Sequence, residues 1–186
     1  MPLRLSFNLG DQDLQHFEEV AQHTQAIART QPADAIVAGA REVLERGAQS
    51  QGAEFVKERY SRLHAMIEMT GDEEWRLEPD DRQRVINALA CFSVPTAQRS
   101  PASLLDHAIM IELVSRDLQH DLNAYRDFSR FRESYDRKRR KADPSTRATA
   151  LQKRRELLHT RMHERRKRDL EKAGSSVRRL FSLFGL

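Results

Sequence analysis

An all-α fold is what this sequence predicts, and three observations carry the prediction. Apolar residues recur every three or four positions along most of the 186 residues, the spacing of one helix face. Only 7 glycines and 6 prolines are present, too few for the turns of an all-β fold. The charged share of 32% stands close to the hydrophobic share of 39%, so a core forms in part of the chain and leaves the rest polar. The expected architecture is a helical bundle with a short N-terminal strand or arm, one long helix and a basic C-terminal helical extension. Its parts are the arm at 1–10, an acidic helical body at 11–135, the extension at 136–174 and an amphipathic tail at 175–186.

Leu3, Leu5, Phe7 and Leu9 alternate with polar residues, so the chain opens as a strand or extended arm. A lone strand needs a partner, such as the same strand of a second subunit. Asp11 suits a helix cap ahead of Leu14, Phe17, Ala21 and Ile27. Pro32 suits the first turn of the next helix, which carries Ile36, Val37, Ala40, Val43 and Leu44, with Gly47 as its stop. Gly52 precedes a third helix, bearing Phe55, Val56, Tyr60, Leu63, Met66 and Ile67 and ending at Gly71. Asp72 to Trp75 is a connection, with Trp75 plugging the edge of the core and its indole N–H on an acceptor. Pro79-Asp80-Asp81 opens a helix with Val85, Ile86, Leu89 and Phe92, in which Cys91 reads as a small buried hydrophobe.

Past a break from Pro95 to Pro101, helical spacing runs on from Leu104 to about Lys141, which is the expected long helix. Tyr125, Phe128, Phe131 and Tyr135 form a packing stripe along it. Asp143-Pro144 ends it, because proline disfavours helix at the residue before it. A polar helix then spans Ser145 to about Ala173, and Gly174 leads into a tail whose Val177, Leu180, Phe181 and Phe184 share one face.

Composition bounds the function classes. No apolar run approaches the roughly 18–20 residues that span a bilayer, and the N-terminus lacks a long apolar centre, so a cytoplasmic protein without integral membrane insertion is expected. Cys91 is the only cysteine, which excludes a disulfide framework and a cysteine-based zinc site. Charge is unevenly spread. Residues 1–125 hold 12 Lys and Arg against 20 Asp and Glu, a net of −8, whereas residues 126–186 hold 20 against 8, a net of +12. Such asymmetry points to an anionic partner, or to attraction between the two halves.

The motifs Asp72-Glu73-Glu74-Trp75, Ile86 to Ser93 with Pro95, Leu105-Asp106, Ala108 to Val114 with Glu112, and Ala124-Tyr125 to Phe128 followed by Phe131-Arg132 form one recognisable series. Over Phe55 to Arg132 the chain resembles the YkvA-like family of bacterial proteins, a domain of unknown function, most specifically from Leu105 to Tyr125. The resemblance implies an all-helical cytoplasmic domain, with Trp75, Pro95, Asp106, Glu112 and Tyr125 as its motif residues, and no activity. Two departures stand out: the loop from Thr96 to Pro101 is short, and His107 stands where the family has a second aspartate.

Several constellations could carry chemistry. Asp106 with His107, and Asp117 with His120 and Asp121, are candidate metal ligands, the latter three sharing a face by their spacing. The plainer roles are a helix-dipole complement for Asp106 and a solvated charged face for the others. His159 and His163 have two-imidazole spacing, but Arg155, Arg161 and Arg165 to Arg168 surround them. The basic clusters are Arg137, Lys138, Arg139, Arg140 and Lys141; Lys153, Arg154 and Arg155; and Arg165, Arg166, Lys167 and Arg168. Helices this basic can track phosphates. No P-loop or dinucleotide fingerprint is present, and nothing assembles a nucleophile with a base.

The expected function is therefore that of a non-enzymatic binding or adaptor protein without a cofactor. Its basic extension would engage an anionic partner, with nucleic acid first. A peripheral membrane or assembly factor using the Phe-rich tail is the alternative, and a carboxylate and histidine metal enzyme the third. A protein partner or homodimer through the N-terminal strand or long helix is also expected.

Overall fold

The computed structural model describes residues 19, 22–23, 26–48, 54–93, 104–138 and 143–172, apart from the side chains of 54, 55 and 104–106. After helical residues 26–30 come six helices: α1 (Ala33–Ala48), α2 (Glu54–Gly71), α3 (Pro79–Ala90), α4 (Leu104–Asp117), α5 (Gln119–Lys138) and α6 (Pro144–Lys172). No strand occurs among the described residues. The predicted arm at 1–10 and tail at 175–186, and Pro95, lie outside them.

Apolar periodicity builds the body around α2, which packs against α1, α3, α4 and α5. Its buried face, Tyr60, Leu63, Met66, Ile67 and Met69, meets Ile36, Ala40 and Val43 of α1, Val85, Ile86 and Leu89 of α3, and Ile111 and Val114 of α4 in one core. Each fully buried aliphatic side chain contributes about 1.5–3 kcal/mol by leaving water. Gly47 does not stop α1, which continues to Ala48. A Cβ at Gly47 would lie 1.9 Å from the Tyr60 ring, so this glycine permits the close approach of α1 to α2. Cys91 is buried, as expected of a small hydrophobe.

The expected single long helix from Leu104 is instead two, α4 and α5, divided at Leu118. Neither glycine nor proline stands there, and backbone bonds from Leu118 N to Val114 O (3.1 Å) and from Leu122 N to Leu118 O (2.9 Å) flank the division. Leu118 is fully buried at the division. The longest helix is α6, with 29 residues and a length of about 44 Å. Asp143 caps it: its Oδ2 accepts bonds from the backbone N–H groups of Ser145 (3.0 Å) and Thr146 (3.3 Å), and Pro144 occupies the first turn.

The basic extension does not project from the body. α6 turns back along α5, antiparallel to it: Arg147 near its start pairs with Asp136 near the end of α5, and Asp169 near its end pairs with His120 at the start of α5. Leu151, Leu158, His159 and Met162 are the buried face of α6. Trp75 is consequently at the centre, not the edge. It is fully buried, with ring centroids 5.8 Å from Tyr125, 5.2 Å from Phe128 and 4.3 Å from His159, the last nearly perpendicular. Its Nε1 has no hydrogen-bond acceptor among the described residues, contrary to expectation.

Candidate functional site

The return of α6 sorts the extension's charges into two sets. The inward set holds the helix to the body through the acidic connection between α2 and α3. That connection is shaped by Asp72, whose Oδ1 accepts from the N–H groups of Glu74 (3.0 Å) and Trp75 (3.1 Å). Asp72 Oδ2 also accepts from Tyr125 Oη (3.1 Å) and Arg132 Nη1 (2.8 Å). Burial, together with the Asp72 carboxylate, pushes the Tyr125 phenol up to about 12. Arg147 pairs with Glu74 and Asp136, Arg155 donates to the Glu74 carbonyl (3.1 Å), and Arg154 lies over the Phe131 ring at 5.5 Å.

A second, more deeply buried junction joins α3, α5 and α6. Arg166 bridges two carboxylates: Nη1 to Asp81 Oδ1 and Nη2 to Asp121 Oδ1, both at 2.8 Å. His163 Nε2 is 2.7 Å from Asp81 Oδ2, and Arg84 Nη1 is 3.4 Å from Asp121 Oδ1. Burial pushes the Asp81 carboxyl up, but hydrogen bonds from His163 and Arg166 outweigh it and hold the group below its ordinary value. Burial pushes Asp121 up, against the pull of Arg84 and Arg166, and its Oδ2 has no partner. Neighbouring Asp117 is pushed up to about 7 by burial, which Arg84 and Arg116 offset only in part. Desolvation keeps the buried His159 below its ordinary value and so neutral.

The predicted metal ligands are not assembled. Among the described residues, His107, Asp117, His120 and Asp121 do not converge as a set of three ligand atoms; the group that does is Glu78, Asp81 and His163. Asp121 is engaged by two arginines, and His120 Nε2 by Asp169 at 2.7 Å. The break at Leu118 also places Asp117 on α4 and the other two on α5. The side chain of Asp106 lies outside the described residues. Of the family motif, Trp75 and Tyr125 pack together, while Glu112 ties α4 to α2 by ion pairs with Arg59 (3.1 Å) and Arg62 (2.9 Å).

The outward set is different. Arg137, Lys138, Lys153, Arg165, Lys167 and Arg168 are exposed; Arg139, Arg140 and Lys141 lie outside the described residues. Arg161, Arg165, Arg168 and Lys172 are all exposed, and their i, i+4, i+7, i+11 spacing puts them on one flank of α6. Reading the sequence by runs of adjacent cations missed Arg161 and Lys172. A helical wheel of residues 144–172 would have found them. A cleft of about 790 Å³ between α2, α4 and α5 mixes Arg62, Arg116, Arg126 and Arg132 with Glu68, Glu112 and Glu133, so its charges largely offset one another. No helix among the described residues is long and apolar enough to cross a membrane. No family model, curated protein or solved structure matches the chain.

Proposed function

We propose that the chain is a cytoplasmic, non-enzymatic binding or adaptor protein that engages an anionic partner through the outer flank of α6. Nucleic acid of low sequence specificity is the partner this reading favours. The observation that carries it is the row Arg161, Arg165, Arg168 and Lys172, four exposed cations over about 16 Å of helix, beside which Asp169 is engaged by His120. A row of this kind can follow a phosphate backbone, each contact releasing counterions, without reading base edges. Kinship with the YkvA-like proteins, resting on Leu105 to Tyr125, belongs to the same proposal and adds no activity to it.

Fluorescence anisotropy with labelled RNA and duplex DNA over a salt series tests the reading. Binding near 50 mM salt is expected to fall steeply as salt rises. Replacing Arg161, Arg165, Arg168 and Lys172 together by Gln weakens it and flattens the salt slope, whereas Arg147→Gln, on the inward set, leaves the slope unchanged. Absence of binding at about 50 mM salt, or binding indifferent to the fourfold replacement, overturns it.

A further inference from the structure

The mouth of the α3–α6 junction gathers side chains that no single stretch of sequence contains. Glu78 is the N-cap of α3 and Asp81 follows three residues later, so both carboxylates rise from one side of its first turn. His163 faces them from the middle of α6. One ligand atom from each lies within 4.8 Å of the others. Around an ion held at about 2.0–2.2 Å, neighbouring ligand atoms are roughly 3–3.5 Å apart, so movements of about 1 Å suffice. Glu78 is exposed, and its side chain makes no capping hydrogen bond, so it can make that movement.

Two further features separate this group from an ordinary surface cluster. Asp81 is held in place: Arg166 Nη1 occupies Oδ1 at 2.8 Å, while Oδ2 is in a 2.7 Å hydrogen bond with His163 Nε2, a contact that a bound ion would replace. A carboxylate fixed through its second oxygen is the usual setting of a metal ligand. Independently, His159, 7% exposed, lines a cleft of about 340 Å³ together with Glu78 and His163, and its Nε2 has no hydrogen-bond partner among the described residues. The His159 and His163 ring centroids are 6.4 Å apart on adjacent turns. The arginines that share the cleft are directed to backbone carbonyls, Arg76 Nε to Glu73 O and Arg155 Nη1 to Glu74 O, both at 3.1 Å.

We propose that Glu78, Asp81 and His163 form a binding site for a first-row divalent transition ion that joins α3 to α6. An imidazole with two carboxylates suits Zn²⁺, whereas Mg²⁺ and Ca²⁺ favour all-oxygen sets. The site shares only His163 with the histidine pair legible in the sequence, and it stands apart from the outer flank of α6, so it holds or fails independently of nucleic-acid binding.

Calorimetric titration of the full chain with ZnCl₂ is the test. One Zn²⁺ per chain is expected, with affinity lowered at least about tenfold by Glu78→Gln and by His163→Gln. His64→Gln, an exposed histidine 3.9 Å from Glu68 on α2, leaves it unchanged. Circular dichroism of each variant checks that the helices persist; should His163→Gln unfold the chain, the exposed Glu78→Gln decides alone. Mg²⁺ at the same concentration does not compete. Absence of saturable Zn²⁺ binding, or Zn²⁺ binding that Glu78→Gln leaves intact, overturns the proposal.

Discussion

At the start of α6, Arg147 reaches Glu74 and Asp136 through side chains that keep 33%, 38% and 45% of their surface in solvent. In its second half, Arg166 reaches Asp81 and Asp121, whose side chains keep 3% and 1%. Both ends present one arginine to two carboxylates. They differ in what remains when the arginine is removed. At the exposed end water replaces it; at the buried end Asp121 keeps only Arg84 at 3.4 Å and Asp81 only His163 at 2.7 Å, with little water to take the arginine's place. Burial, not the number of ion pairs, decides how much each end depends on its cation.

The sharpest way to break this comparison is Arg166→Met, which keeps bulk and removes charge. Urea unfolding is expected to show a loss of about 2–3 kcal/mol, short of the full cost of an unpaired buried charge because Arg84 and His163 remain. Adding Asp121→Asn to Arg166→Met recovers part of that loss, because the penalty belongs to the stranded carboxylate. Equal costs for Arg166→Met and Arg147→Met would end the distinction between the two ends.

Asp117 sharpens the same point through pH. Burial raises its folded-state value to about 7 from 3.8. Between those values the folded chain holds a proton that the unfolded chain has released. Stability therefore falls as pH rises from about 4 to about 7, and the penalty persists above. Asp117→Asn removes the group that must ionise. It is expected to stabilise the chain by on the order of 2 kcal/mol near pH 8 and to be neutral near pH 3. Thermal melts at both pH values measure this, and an equal gain at both would show that charge burial is not the cause.

Three helix ends were legible from a local device: Gly71 at the end of α2, Pro79 at the start of α3, and Asp143-Pro144 before α6. The core faces of α1 to α3 and the aromatic stripe of α5 followed from apolar spacing. The path of α6 did not, because its cations find carboxylates far away in sequence. Arg147 and Glu74 are 73 residues apart, Arg166 and Asp81 are 85, and Arg166 and Asp121 are 45. Local pattern carries no trace of such pairings, so the charge asymmetry left an anionic partner and attraction between the two halves equally open. Trp75 was set at the core edge for the same reason: the helix that covers it arrives from the other end of the chain. The His159 and His163 spacing was visible, but Glu78 and Asp81 belong to another helix, and neighbouring arginines hid the grouping.

The smallest effect belongs to the exposed end. Glu74 and Asp136 hold the Arg147 guanidinium above its ordinary value, and Arg147 holds both carboxyls below theirs. The guanidinium is protonated at any pH the fold survives, so its own shift adds nothing to stability. What remains is attraction across a solvated surface, opposed by the entropy of holding long side chains still. Arg147→Ala is expected to lower unfolding free energy by less than about 1 kcal/mol, and the difference should shrink further toward 1 M salt, where screening acts over about 3 Å. The buried junction should keep most of its contribution under the same salt. Urea titrations of Arg147→Ala and Arg166→Met at low and high salt set the two responses side by side, and parallel losses with salt would mean that Arg166 is no better shielded than Arg147.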